Sequence, residues 1–202
     1  MKEFGVNGKM LRENGSAAGG DAGLAHRQSP DPTLPQHLFV GSTEGTSTCT
    51  PDSEIHHVWP KFLVMVLLQG SQHFVMDGVD FRIDAGTGSN PTPIVFMLNV
   101  ARFCQLQFIN DCEDTLRKVM ISAPLPWLQR LTATHPKGMP TLRAFFSRHL
   151  GQFSFEPGRH IVQLADQIMH PPPSVQGEVL TLYRQSHALD IMWQSCNALI
   201  QH

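Results

Sequence analysis

The spacing of apolar side chains divides the chain into three stretches. Residues 1–36 are poor in them: Gly5, Gly8, Gly15, Gly19, Gly20 and Gly23 lie here, and Pro30, Pro32 and Pro35 close the stretch. So little apolar surface does not offset the entropy of ordering such a segment, which reads as a flexible arm that either covers a pocket or stays disordered. From 37 to 122 the period is two. Residues 62–68 form an unbroken apolar run ended by Gly70, the pattern of a strand buried on both faces. Then His73-Phe74-Val75-Met76 and Val79-Asp80-Phe81-Arg82 alternate on either side of Asp77-Gly78, a dipeptide that accepts the positive φ angles of a two-residue type I′ turn. That turn sets Met76 opposite Val79, Val75 opposite Asp80, Phe74 opposite Phe81 and His73 opposite Arg82, with Phe74, Met76, Val79 and Phe81 on the core side. Residues 94–98 read as another buried strand. Residues 103–109 alternate, with Cys104, Leu106 and Phe108 on one side and Gln105 and Gln107 on the other, and 116–122 complete the set. Short strands at this spacing, joined by Gly/Pro turns, predict a small antiparallel barrel or sandwich.

After Ala123 the period becomes helical. Pro126 suits the start of a short helix through Trp127, Leu128 and Leu131, and Leu142, Phe145, Phe146 and Leu150 have helical spacing. Pro157-Gly158 opens a helix with Ile161, Leu164, Ala165 and Ile168 on one face, stopped at Pro171-Pro172-Pro173. Ser174 is then the expected N-cap of a last helix of about 27 residues, roughly 40 Å long at 1.5 Å per residue. Its seam is Val175, Val179, Leu182, Ser186, Leu189, Trp193, Cys196 and Ile200, a sustained 3-4-3-4 spacing, and Leu180, Tyr183, Ile191, Met192 and Leu199 widen the apolar surface beyond it. Such a helix either buries everything within its own domain or offers one stripe to a partner.

The order of strands and then helices, with Gly151-Gln152-Phe153-Ser154-Phe155-Glu156-Pro157, residues 164–168, His170-Pro171-Pro172 and Leu182-Tyr183-Arg184-Gln185-Ser186-His187-Ala188-Leu189-Asp190-Ile191-Met192, resembles the N-terminal effector-binding and dimerisation region of AraC-type transcriptional regulators, in particular their cupin-like subset. The resemblance spans about residues 54–201. Asp190 stands where the family usually has Glu, and His187 at a commonly basic position. The resemblance implies an α+β fold: a flexible arm over 1–36, a small antiparallel cupin-like β-barrel over 37–122, and a helical dimerisation region over 123–202 ending in a long helix. It also implies a small-molecule effector, and a homodimer or a heterodimer with a related regulator. In the family two helix-turn-helix units follow the long helix and read DNA. No room remains for them before His202, so the chain is expected to be a regulatory domain of a longer protein, or a stand-alone product acting as a mixed-dimer antagonist.

Composition narrows the chemistry. Fifteen basic residues against 17 acidic give a net charge of −2 and no global attraction to nucleic acid, so no direct DNA contact is expected from this chain. No apolar run is long enough for a bilayer span and the first residues lack a secretory pattern, which makes the cytoplasm the default. Cys49, Cys104, Cys112 and Cys196 are scattered, with no CxxC pair for a zinc ribbon or dithiol. Metal-binding cupins need a His/Glu cluster. Here His56 and His57 stand near that position, but the second motif position is Val58 and the later strand carries no His, leaving no metal site and only a degenerate cupin enzyme as the catalytic alternative. His73 is turned outward by the hairpin register. No Gly-x-Ser-x-Gly elbow is present, and Gly86-Thr87-Gly88 lacks the rest of a dinucleotide loop. No catalytic residue and no cofactor is predicted. What remains is the interior of the strand region, which is either a solid core or an adaptable Met/Phe pocket. Its candidates are Met65, Leu67, Phe74, Met76, Phe81, Phe96, Leu98, Leu106 and Phe108, with His56, His57 and Trp59 at the strand entrance to meet a polar end.

Overall fold

The computed structural model describes residues 37–46, 55–109, 115–133 and 140–202. The 1–36 arm, Cys49 and Cys112 lie outside the described residues. Eight strands come first: β1 (Phe39–Thr46), β2 (His56–Val58), β3 (Lys61–Gln69), β4 (Ser71–Met76), β5 (Val79–Asp84), β6 (Ile94–Val100), β7 (Cys104–Phe108) and β8 (Thr115–Pro124). Helices α1 (Leu125–Ala133) and α2 (Pro140–Ser147), strand β9 (Gly151–Phe155), and helices α3 (Arg159–Met169) and α4 (Gly177–Gln201) follow. Among the described residues no helix is long and apolar enough to cross a membrane.

The expected closed barrel is not formed. The strands make two separate antiparallel sheets, ordered β1-β8-β3-β6-β9 and β2-β7-β4-β5. The chain changes sheet between β5 and β6 through a segment holding Pro91 and Pro93, which have no N–H to carry a ladder across the gap. The hairpin has the predicted register, and Asp77 and Gly78 both have positive φ (48° and 79°), as the type I′ turn requires. Val79, placed on the core side by alternation, sits at the hairpin tip and is exposed. At the other end of β4, Gly70 is obligatory. Its φ is +89°, and a Cβ there would sit 2.5 Å from the Thr115 carbonyl oxygen.

Strand β3 is the spine of the molecule, paired with β8 on one side and β6 on the other. Its even positions, Phe62, Val64, Val66 and Leu68, join Val119, Ile121 and Ala123 of β8 in a core with Ile161, Leu164, Ala165 and Ile168 of α3 and Ala188, Ile191 and Met192 of α4. Phe62 meets Phe145 and Phe146 of α2 edge-on, at 6.1 and 5.1 Å between ring centroids. The odd positions of β3 face the four-stranded sheet and belong to a second core.

Two helix-region expectations change. Gly151–Phe155 is a strand that pairs with β6, and Leu150, expected on a helix face, precedes it in left-handed backbone (φ 53°). Ser174 is not the cap of α4. The Val175 N–H is turned back to the Pro172 carbonyl oxygen (2.9 Å), so the helix starts later, at Gly177 after Gln176, and runs 25 residues.

Candidate functional site between the sheets

Between the two sheets lies a cavity. About 30 Å³ of it accepts the centre of a water-sized sphere, within some 500 Å³ of space between side chains that is partly open to solvent. Strands β3, β6 and β8 supply Lys61, Leu63, Met65, Phe96, Leu98 and Met120 to its wall, and strands β2, β4 and β7 supply Val58, Gln72, Phe74, Met76, Leu106 and Phe108. Period-two alternation delivers these side chains to one space, because each strand turns every second residue inward. Phe74 is the hub of an aromatic cluster: it stacks on Phe81 at 5.1 Å and meets Phe96 and Phe108 edge-on, each at 6.4 Å.

Seven of the sequence candidates are brought together here: Met65, Phe74, Met76, Phe96, Leu98, Leu106 and Phe108. Leu67 and Phe81 are buried in the same cluster, one layer behind the wall. None of the three expected entrance residues lines the cavity wall, but His56 lies on the same face of β2 as the wall residue Val58 and pairs with the wall residue Leu106. His56 is half-buried with its ring 6.0 Å from Phe108, while His57 is exposed, since neighbours on a strand face opposite ways. Those opposite faces keep the two imidazoles from sharing a ligand. Among the described residues no group of three or more His, Cys, Asp or Glu is placed to hold a metal ion. Trp59 is buried outside the cavity wall, with the Lys61 ammonium 4.8 Å from its ring centroid.

Sequence reasoning missed Val58, Leu63 and Met120, and it missed the two polar wall residues, Lys61 and Gln72. Lys61 opens the same odd row as Leu63, Met65 and Leu67, so period two could have found it. It is only 3 % exposed, and burial pushes its ammonium down to about 8, against a smaller opposing effect of the nearby Cys104 thiol. Gln72 accepts a hydrogen bond from the Lys118 ammonium of β8, which burial pushes down to about 7. The Cys104 thiol is itself raised to about 11, mainly by burial and also by Asp77, with Lys61 and Arg102 acting the other way. The outward face of the hairpin carries polar partners instead: His73 Nε2 lies 2.6 Å from an Asp80 oxygen, and Arg82 donates to the other at 3.0 Å.

The second candidate surface is α4. Ala188, Ile191, Met192 and Ser195 are buried against the domain. Along the predicted seam, Val179 (60 %), Leu182 (67 %), Leu189 (44 %) and Trp193 (61 %) are exposed, as is Ser186, whereas Val175, Cys196 and Ile200 are half-buried. Val175 precedes the helix. The indole N–H of Trp193 donates to Asp190 at 2.7 Å, which orients that ring along the helix surface.

The likeness to solved structures is loose. ToxT from Vibrio cholerae aligns at 9% identity and a TM-score of 0.36, over 78% of this chain and 57% of that one. A second ToxT structure, with unsaturated fatty acid bound, aligns at 10% identity and 0.35, over 75% and 52%. The plu4264 protein of Photorhabdus luminescens aligns at 15% identity and 0.30, over 50% and 78%. The chain thus spans a little over half the length of the ToxT chains it matches. No curated protein matches by sequence. At the family level, residues 26–202 match the N-terminal domain of the regulatory protein PchR, and the chain belongs to that family of AraC-type regulator N-terminal domains.

Proposed function

We propose that this domain is the sensing and dimerisation half of an AraC-type transcriptional regulator: it takes a small effector between its two sheets, pairs through α4, and controls DNA-reading helices that lie outside residues 1–202. The regulator acts in the cytoplasm, has no catalytic role, and its two sheets correspond to a cupin-like barrel left open. The observation that carries this reading is the double duty of β3. Its odd residues wall the cavity while its even residues pack on the helix layer that holds α4. An occupant that widens the cavity therefore pushes on the element that bears the exposed seam, and it shifts the dimer by its differential affinity for the two arrangements. The cavity as it stands has room for roughly two waters, so binding a larger molecule has to part the sheets.

The test is the oligomeric state. By light scattering the wild type should have twice the 22.5 kDa chain mass. Trp193→Glu and Leu189→Glu should each give the monomer mass while changing folding stability by no more than about 0.5 kcal/mol, since both side chains are exposed. A monomeric wild type, or variants that stay dimeric, would remove α4 as the pairing surface.

A further inference from the structure

We propose that the effector is an apolar molecule carrying a single anionic group, and that the Lys61 ammonium receives that group inside the cavity. This rests on the reading of the cavity as the effector site and narrows it to a ligand class. A buried ammonium is costly unless paired, and the inner row of β3 would pack with a leucine or methionine at this position. Among the described residues no carboxylate lies within ion-pair distance of Lys61; its neighbours are the Trp59 ring and the Cys104 thiol. With its pKa raised to about 11, that thiol stays protonated and supplies no counter-charge.

Ser122 provides an independent second observation. It is 3 % exposed, and its buried hydroxyl oxygen has no hydrogen-bond partner. It lies on the same face of β8 as the wall residue Met120 and pairs with Leu63, one inward position from Lys61. In the proposed complex an anion gives the Lys61 ammonium a counter-charge, and the Ser122 hydroxyl is the nearby donor on β8 left without a partner. The rest of the wall sets the body of the ligand. Apart from Lys61, its polar member is Gln72, whose carbonyl already accepts from Lys118, so a sugar or other polyol would leave most of its hydroxyls unpaired. A cationic ligand would face Lys61 with like charge. A compact, preferably aromatic body fits the Met and Phe side chains that remain.

The experiment compares two fluorescent probes with nearly the same apolar body: anilinonaphthalene sulfonate, which is anionic, and its uncharged parent phenylnaphthylamine. On the full chain the sulfonate should bind at least about tenfold more tightly, the effect of one charge-assisted contact in a desolvated site. Lys61→Met should bring that ratio close to one; Lys61→Gln serves the same purpose if the first variant does not fold. Equal affinities in the wild type, or a ratio that survives loss of Lys61, would overturn the anion assignment and leave the cavity as an effector site. Binding of neither probe would overturn the cavity reading itself.

Discussion

The two faces of the five-stranded sheet are built from different materials. The centre of the outer face is β-branched and small: Val64, Val66, Val119 and Ile121 meet Ala165, Ile168, Ala188 and Ile191 across the helix layer, almost all without solvent contact, with Phe62 and Met97 packed beside them. Its polar groups donate to backbone carbonyls, although the Asn99 side-chain oxygen itself has no partner. The Asn99 amide N–H₂ donates to the Phe146 and Arg148 carbonyls at 2.9 and 2.8 Å, tying the end of α2 to β6, and the Ser195 hydroxyl donates to the Ile191 carbonyl at 2.7 Å. The inner face mixes Leu with Met and Phe, borders a cavity, and carries two buried lysines, with Gln72 facing them from the other sheet. β-branched and alanine side chains have few rotamers and lock one packing arrangement, whereas thioethers and rings can rearrange around an occupant. The difference assigns rigidity to one face and exchange to the other.

Neighbouring residues on β8 test this directly. Ile121 points outward and Met120 inward. Ile121→Ala, and likewise Ile168→Ala on α3, should each cost about 2–5 kcal/mol in urea denaturation, because the outer core cannot collapse around the hole. Met120→Ala borders space that already exists and should cost less than about 2 kcal/mol. Comparable losses at 120 and 121 would break the contrast.

Adding volume should sharpen it. Val66 is fully buried against the helices and Val58 lines the cavity. Val66→Ile inserts a methylene where there is no room and should lower stability by about 1–3 kcal/mol. Val58→Ile fills part of the void and should fall between neutral and a gain of about 0.8 kcal/mol, the value of one buried methylene. Urea midpoints at constant slope are the readout.

What the sequence made legible follows the range of the forces involved. The hairpin was readable because Asp77-Gly78 acts over two residues and then fixes every facing pair up to His73 and Arg82. Helix α4 was readable because 3-4 spacing is local; of its expected seam Val179, Leu182, Leu189 and Trp193 are exposed, while Val175 precedes the helix and Cys196 and Ile200 are half-buried. Closure of a barrel is decided by which strand edges meet, and Pro91 and Pro93 marked a loop without saying that it changes sheets. The strand at 151–155 was hidden because five residues, Gly-Gln-Phe-Ser-Phe, show period two too briefly to stand out among helices. Within the cavity Phe74, Met76 and Phe108 followed from alternation, Met65 and Phe96 from their unbroken apolar runs, and Met120 from neither. Lys61 was missed since a charged residue at the edge of an apolar run reads as the strand's solvated end, and only the pairing of β3 with both β6 and β8 takes it out of water.

The buried lysines make the inner face respond to pH in a way the outer face does not. Lys61 and Lys118 are lowered to about 8 and about 7 in the folded protein, from 10.5 for a free lysine. Above the folded values the native state has released protons that the unfolded chain still binds, so stability rises with pH; below about 7 both states are protonated and the full cost of burying the charges is present. The opposing groups are Cys104 and Cys196, both raised to about 11 by burial from a usual 9.0. Once pH exceeds about 9 the unfolded thiols ionise while the folded ones do not, and this offsets the gain that the lysines still supply. The net gain should therefore be read between pH 7 and 9, and on the order of 1–3 kcal/mol is expected by urea denaturation. Lys61→Met should be more stable than the wild type at pH 7 and should remove about 1 kcal/mol of the rise, because the group that titrates is gone and a side chain of similar length fills its place. A pH profile unchanged by that substitution would mean that Lys61 is hydrated in solution, and the inner face would then lose the charge that distinguishes it from the outer one.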